Sequence, residues 1–420
     1  MSIVLLGINH RSAPVTIRER LSISCGDEGK TLEELRSIPH VREVMFLATC
    51  NRIEVLANMK PAGTAIEELK TFITSRGNLS PEEMTKCLYV YRDEDAIRHL
   101  FRVASSLDSM IMGEPQILGQ LKDAYRLCVM HKTSGVILNK LLHRAFSVAK
   151  RVRTETAIAN NAVSVSFAAV KLAKKIFGAL DRKKVLLVGA GEMAQLAARH
   201  LADNGIDRIL FANRTYENAV KLAHDFHGLP IEFDQMESAL GDVDIVISST
   251  ASPEYVISRG MMEAALCRRK NRLMFLIDLA VPRDIDPGAG DIDTVYLYNI
   301  DDLQGVVDDN IQSRLNEARK AEAIIDEEVA DFSGWFATLE VVPTIVDLKN
   351  KAGDIIREEI VRSHSWMKNL DGEEKENIEI LVNAVVNKIL HDPVVRLKEE
   401  SRNGGADSYV AVVKKLFKLE

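Results

Sequence analysis

Through the first ninety residues the apolar positions fall in short runs divided by polar turns. The runs predict a strand at Ile3–Ile8, helical stretches at Ala13–Ser24 and Leu32–Ile38, and strands at Glu43–Ala48 and Ile53–Met59. A helix near Ala65–Ser75 and a strand at Cys87–Tyr91 complete the set, an order that resembles the split βαβ, or ferredoxin-like, arrangement. From Asp93 to Lys150 the period becomes helical, with Ile97, Leu100, Phe101 and Ala104 on one face and Leu118, Leu121, Ala124 and Tyr125 on another.

After Asn160 and Asn161 strands alternate with helices: Lys184–Val188, helix Met193–Asn204, Arg208–Ala212, helix Tyr216–Phe226, then Ile231–Phe233, Ile245–Ser248 and Met274–Asp278. This alternation predicts a parallel sheet covered by helices. From Asp301 strand signals nearly vanish, and Ile311, Leu315, Ala318, Ile325, Val329, Phe332 and Phe336 recur at helical spacing until Pro343, which is expected to interrupt or kink the helix. The tail adds amphipathic segments such as Ile378–Leu390 and a turn at Gly404 and Gly405. The expected organisation is a multi-domain α/β protein: an α+β domain over 1–157, a Rossmann-type domain over 158–300, and a long helix leading into an all-α dimerisation domain over 301–420.

Composition narrows the function classes. The five cysteines (Cys25, Cys50, Cys87, Cys128, Cys267) are odd in number and never form C-x-x-C, so neither a disulfide framework nor a zinc site is expected and a reducing cytoplasm fits best. No secretion signal is readable, and nowhere do about 18 apolar residues run together. The net charge of −7 speaks against a polyanionic partner, but it is uneven. Residues 1–157 hold 22 Lys and Arg against 18 Asp and Glu, leaving 32 against 43 for the remainder. The densest basic stretch is Lys140, His143, Arg144, Lys150, Arg151 and Arg153, which as an isolated run reads first as a solvated helix face.

Lys184–Val188 leads into Gly189-Ala190-Gly191-Glu192-Met193-Ala194 and then a helix, the order a dinucleotide-binding turn requires. Gly189 permits the turn, Gly191 lets backbone N–H groups approach a pyrophosphate, and Ala194 allows close helix–strand packing. The second strand ends in Asn213-Arg214-Thr215, so a cation stands where NAD sites keep a carboxylate. Arg214 is expected to pair with the 2′-phosphate of NADPH; the alternative is an arginine that only caps the next helix. Ser248-Ser249-Thr250 and Asp278–Pro282 are expected along the same crevice.

Thr49-Cys50-Asn51-Arg52 joins two predicted strands and would hold Cys50 at a hairpin tip, where Arg52 favours the thiolate. A free cysteine after an apolar strand is more often a small buried hydrophobe. This turn, together with Gly7–Pro14, Ser106–Gln120 and Ile277–Asp284, closely resembles segments of the glutamyl-tRNA reductases, and the resemblance extends over nearly the whole chain.

The resemblance implies a catalytic N-terminal domain, an NADP domain like that of shikimate dehydrogenases, and helical dimerisation. It makes Cys50 the nucleophile and His99 a residue important for activity. Thr49, Asn51, Arg52, Ser109, Glu114, Pro115, Gln116 and Gln120 then fall on substrate-contacting positions. The implied reaction uses NADPH, without metal or flavin, to reduce glutamyl-tRNA(Glu) to glutamate-1-semialdehyde through a cysteinyl thioester, the first step of tetrapyrrole synthesis. Arg52 would recognise the substrate carboxylate, and His99 would polarise the carbonyl or exchange the leaving-group proton. Implied partners are a second copy of the chain and the aminomutase that takes over the labile aldehyde. Two other readings stay open on residues alone: an NADP dehydrogenase for a small alcohol or acid, which leaves the first 150 residues unexplained, and a tRNA-binding scaffold with a relict nucleotide fold.

Overall fold

The computed structural model describes the chain except residues 25–26, 61–64, 111, 115, 159–164, 207, 271, 304–310, 403–404 and 420, and the side chains of 23–24, 165, 311–315 and 407. Expectations for Cys25, Pro115, Asn160, Asn161, Gly404 and the side chains of Ile311 and Leu315 therefore lie outside the described residues. The chain divides into two compact units, Ser2–Ile325 and Asp326–Glu420.

The first unit opens with β1 (Ser2–Asn9), α1 (Val15–Ser24), α2 (Glu28–Ser37), β2 (Val41–Ala48), β3 (Arg52–Met59), α3 (Ala65–Arg76), α4 (Pro81–Cys87) and β4 (Tyr89–Arg92). The sheet order β2-β3-β1-β4, antiparallel throughout, is the ferredoxin-like order expected. Cys87 does not begin the last strand. It ends α4, a helix the apolar pattern missed, although Ser80 and Glu83 form a capping box that the sequence displays. Every residue of β3 is buried, so helices cover both faces of that strand. The helices α5 (Asp93–Ala104), α6 (Gln116–Met130) and α7 (Val136–Glu155) follow, and Ile97, Leu100, Phe101, Ala104, Leu118, Leu121 and Ala124 are buried as their spacing requires.

Next come α8 (Val165–Phe177), β5 (Val185–Val188), α9 (Glu192–Asp203), β6 (Ile209–Ala212), α10 (Tyr216–Asp225), β7 (Leu229–Ile231), α11 (Met236–Ala239), β8 (Ile245–Ser248), α12 (Arg259–Arg269), β9 (Met274–Asp278) and β10 (Val295–Asn299). Phe233 begins a 3-10 turn after β7, where a strand was expected. All strands pair in parallel, in the order β10-β9-β8-β5-β6-β7. The order reverses at β5, which pairs with both β6 and β8, and ligands of doubly wound sheets bind in the crevice above such a point.

The helix α13 (Ile311–Arg362) runs through Pro343 without interruption. A proline removes one N–H donor and crowds the preceding turn, and a long helix retains its remaining bonds on either side. In the second unit Val341, Ile345 and Leu348 of α13 form a core with Leu390 and Leu397 of α15 (Gly372–Arg402) and with Ala406 and Val413 of α16 (Ala406–Leu416); the short α14 (His364–Met367) lies between α13 and α15 in sequence. By length and composition alone, Asn316–Arg362 is apolar enough to cross a membrane. Within it, Ala321, Ile325, Val329, Phe332, Val341 and Leu348 are buried by protein.

Candidate active site

The register of the first sheet fixes the cysteine turn. Ala48 faces Ile53 across the β2–β3 hairpin, and Asn9 at the end of β1 faces Arg52. The Thr49 N–H donates to the Arg52 carbonyl at 2.8 Å, while the Thr49 hydroxyl accepts from the N–H groups of Asn51 (3.2 Å) and Arg52 (3.1 Å). A threonine at the head of a tight turn is thus bonded to its own backbone. The neighbouring loop is tied on by the His10 N–H, which donates to the Asn51 carbonyl at 2.9 Å.

Thr49, Cys50, Asn51, Arg52, Ser109, Glu114, Gln116 and Gln120 line one cavity of about 30 Å³, joined by Met110 and Ile117. Every described residue assigned to substrate contact by resemblance is therefore in one wall; Pro115 lies outside the described residues. The space admits about one water, far less than a glutamyl group, so substrate entry requires the wall to open.

Three expectations need correction. Cys50 is not at an exposed tip: it is half-buried and packs with Met110 against the core of the nucleotide domain. Burial, followed by the Glu114 charge, pushes its thiol up to about 11, outweighing the opposite effects of Arg18 and Arg52, so the resting sulfur is a thiol and not a thiolate. Arg52 is fully buried and already engaged, donating to Glu54 at 2.8 Å and to the carbonyl and carboxylate of Asp108 at 2.5 and 3.1 Å. His99 does not reach the cavity. Its Nε2 sits 2.7 Å from Glu54 Oε1, the oxygen that also receives Tyr89 OH at 2.5 Å, and its ring stacks on Tyr91 with centroids 4.7 Å apart. His99 reaches the turn only through Glu54, which in turn pairs with Arg52.

Motif reading singled out neither Glu54 nor Arg18. The only signal for Glu54 is an acid inside the apolar strand Ile53–Leu56; burial alone would raise it, but Arg52, His99 and Tyr89 hold it down to about 2. The fully buried Arg18 on α1 donates to the Cys50 carbonyl at 2.5 Å and to Asn51 Oδ1 at 3.2 Å, and its other amine pairs with Asp301 after β10. Next to it on α1, Glu19 accepts from Arg283 Nε at 2.8 Å. Two ion pairs thus dock the cysteine domain on the nucleotide domain.

Gly189 has φ +104°, and a Cβ there would lie 2.1 Å from the Ser249 carbonyl, so only glycine makes this turn. Gly191 caps α9 without a side-chain cap, and a Cβ on it would meet nothing within 4 Å. The turn is open above the first N–H groups of α9, which fits a pyrophosphate. Ala194 is fully buried against the sheet. Beside β6, Arg214 is exposed and has no carboxylate partner among the described residues, and Asn213 Nδ2 donates to the Thr215 carbonyl at 2.8 Å. Asp284, deeply buried, accepts from Ser248 Oγ (2.6 Å), the Thr250 N–H (2.8 Å) and Thr250 Oγ1 (2.5 Å), so these side chains brace the crevice. Gln116, from the cysteine cavity, donates through Nε2 to Glu192 at 2.9 Å, on the first turn of α9. No group of three or more metal-ligating side chains occurs among the described residues.

The fold and this site define a nicotinamide-dinucleotide oxidoreductase that carries a second, ferredoxin-like domain. Residues 6–156 match the family model described as glutamyl-tRNA(Glu) reductase, N-terminal domain; 171–306 match shikimate/quinate 5-dehydrogenase; 320–419 match glutamyl-tRNA(Glu) reductase, dimerisation domain. A glutamyl-tRNA reductase of Syntrophus aciditrophicus is 54% identical over the full length of both chains, and one of Geobacter metallireducens is 49% identical, covering 100% of this chain and 97% of its own. The solved glutamyl-tRNA reductase of Methanopyrus kandleri covers 98% of each chain at 32% identity with a TM-score of 0.52. The chain belongs to the glutamyl-tRNA reductase family.

Proposed function

We propose that this chain uses NADPH to reduce the glutamyl ester of glutamyl-tRNA(Glu) to glutamate-1-semialdehyde, releasing the tRNA through a thioester on Cys50. The observation that carries the reading is the meeting of two sites: Cys50 packs on the nucleotide-domain core, and Gln116 of its cavity bonds Glu192 at the start of the phosphate-binding helix. On this reading a nucleophile in one domain and a dinucleotide turn in the other would serve one carbon atom.

An aminoacyl ester is already activated, so sulfur can attack its carbonyl without ATP. When bound at the Gly189 turn, NADPH supplies hydride to the thioester carbon. The remaining work belongs to the chain. Arg214 selects the 2′-phosphate by charge. Asn51, Ser109, Gln116 and Gln120 offer the donors and acceptors that hold the glutamyl group once the wall opens. The Arg52–Glu54–His99 cluster keeps the turn rigid, and docking of α1 excludes water from the carbonyl.

The tRNA meets the basic N-terminal part, where Lys140, His143 and Lys150 stand exposed along α7. A homodimer is the accompanying reading. Ile380, Leu381, Val385 and Ile389 leave apolar side chains exposed on α15, a surface that a second copy would cover. The aldehyde product is the substrate of an aminomutase.

The test is NADPH oxidation at 340 nm with charged tRNA, against uncharged tRNA and free glutamate, in wild type and Cys50→Ser. Oxidation with the charged tRNA alone, lost by about 10⁴-fold in Cys50→Ser while NADPH still binds, is expected. Undiminished turnover in that variant would remove the thioester.

A further inference from the structure

We propose that Glu114 is the proton carrier of the acyl-transfer step, taking the Cys50 thiol proton as sulfur attacks the glutamyl ester and giving it to the ribose oxygen of the departing tRNA. The proposal rests on the thioester reading above and assigns it a base.

A base is required because the resting sulfur is protonated. With the thiol near 11, only about 10⁻⁴ of it is thiolate at neutral pH. No histidine lines the described wall of the Cys50 cavity. His99 is spent on Glu54 and lies outside the cavity wall. His10, whose two ring nitrogens are buried without partners among the described residues, is also absent from that wall, and burial followed by Arg52 and Arg11 lowers it to about 4, leaving a weak base.

Glu114 faces the same small cavity as Cys50. It is more than nine-tenths buried, and its Oε1 has no hydrogen-bond partner among the described residues. A buried, unpartnered carboxyl oxygen is unfavourable for folding, and a role in proton transfer gives it a reason to be there. Its backbone is fixed by the Ser106 hydroxyl, which donates to the Glu114 carbonyl at 2.5 Å. Burial, then the Glu192 charge on α9, raises this carboxyl to about 7, so near neutrality it both accepts and donates a proton. The charged groups acting on the pair are Arg18, Arg52 and Glu192. Ionised Glu114 disfavours the Cys50 thiolate, so the two share one negative charge and the proton moves only when the sulfur's charge is passing into the ester.

The step balances. The S–H bond breaks and its proton goes to the Glu114 carboxylate as the S–C bond forms. The bond from the carbonyl carbon to the ribose oxygen then breaks, that oxygen takes the proton, and Glu114 returns to carboxylate with nothing oxidised or reduced.

The experiment uses the full chain without NADPH, following labelled glutamate from charged tRNA onto Cys50 by rapid quench, and the iodoacetamide reactivity of Cys50 against pH by mass spectrometry. In wild type, acylation should rise with pH and level off above about 7; a rise continuing tenfold per pH unit to pH 9 would mean that solvent makes the thiolate and would overturn the proposal. Glu114→Gln should slow acylation by about 10²–10⁴-fold and abolish the limb near 7, while the alkylation midpoint of Cys50 moves to lower pH because a negative neighbour is gone. Loss of the limb near 7 with charged tRNA saturating is the expected signature, since a binding role would raise the tRNA concentration needed and leave that limb in place; the alkylation shift checks that the two groups face one another. Acylation by Glu114→Gln within about threefold of wild type, with the limb retained, would also overturn it. Absence of any acyl-enzyme in wild type would instead remove the thioester reading itself.

Discussion

The two sheets of the first unit solve different problems with different materials. β5, β8 and β9 present Val185–Val188, Ile245–Ile247 and Met274–Ile277, fully buried apolar runs, and the chemistry is left to a backbone turn at their ends. The first sheet buries Asn9, Arg52, Glu54 and Asn58 on its strands, with His99 and Asp108 packed over them. Recognition of a pyrophosphate needs only N–H groups and space, which the backbone supplies. Holding a thiol beside an ester needs fixed charges, and a buried charge is tolerated only with a complete set of partners. The nucleotide turn therefore depends on backbone shape, braced from below by Asp284, and the cysteine turn depends on a network of charged side chains.

The sharpest way to break this comparison is Glu54→Ala. It leaves Arg52 buried with one carboxylate fewer, and a loss of about 3–5 kcal/mol is expected in denaturant unfolding, with NADPH affinity unchanged in the protein that remains folded. The pH dependence has a defined sign. Glu54 is depressed from 4.5 to about 2, so its contribution is whole above pH 4.5 and is lost as pH falls through about 2; the variant should lack that acid-side dependence. Next in size is Gly189→Ala, whose methyl would strike the Ser249 carbonyl. NADPH binding should weaken by about 10²-fold in a fluorescence titration, with the alkylation profile of Cys50 unaltered. Smallest is Arg214→Ala, expected to reduce the preference for NADPH over NADH by roughly tenfold in steady-state kinetics. Equal loss for both cofactors would reassign Arg214 to capping α10.

What could be read from the sequence follows the same division. The strand, Gly189–Ala194 turn and helix are contiguous, so their order is visible in a dozen residues. The ferredoxin-like order was legible too, because apolar runs and turns mark each strand. The charge cluster joins residues 45 positions apart in Glu54 and His99 and 99 apart in Asn9 and Asp108, and the docking pair Arg18 and Asp301 is 283 apart. No local period encodes such pairs. Cys50 was legible as a candidate through its turn, but the direction of its ionisation was not, since that depends on burial against a domain that begins more than a hundred residues later. The interruption expected at Pro343 did not occur for the opposite reason: a local rule was read without the long helix that continues on both sides of it.

The protonated state of Cys50 also governs how the idle molecule meets oxidants. Peroxides and disulfides attack thiolate far faster than thiol, and a sulfur held as thiol in a cavity the size of a water offers them little to react with. Damage should then track turnover more closely than time in storage, because the sulfur becomes reactive only when the wall opens and its proton is taken.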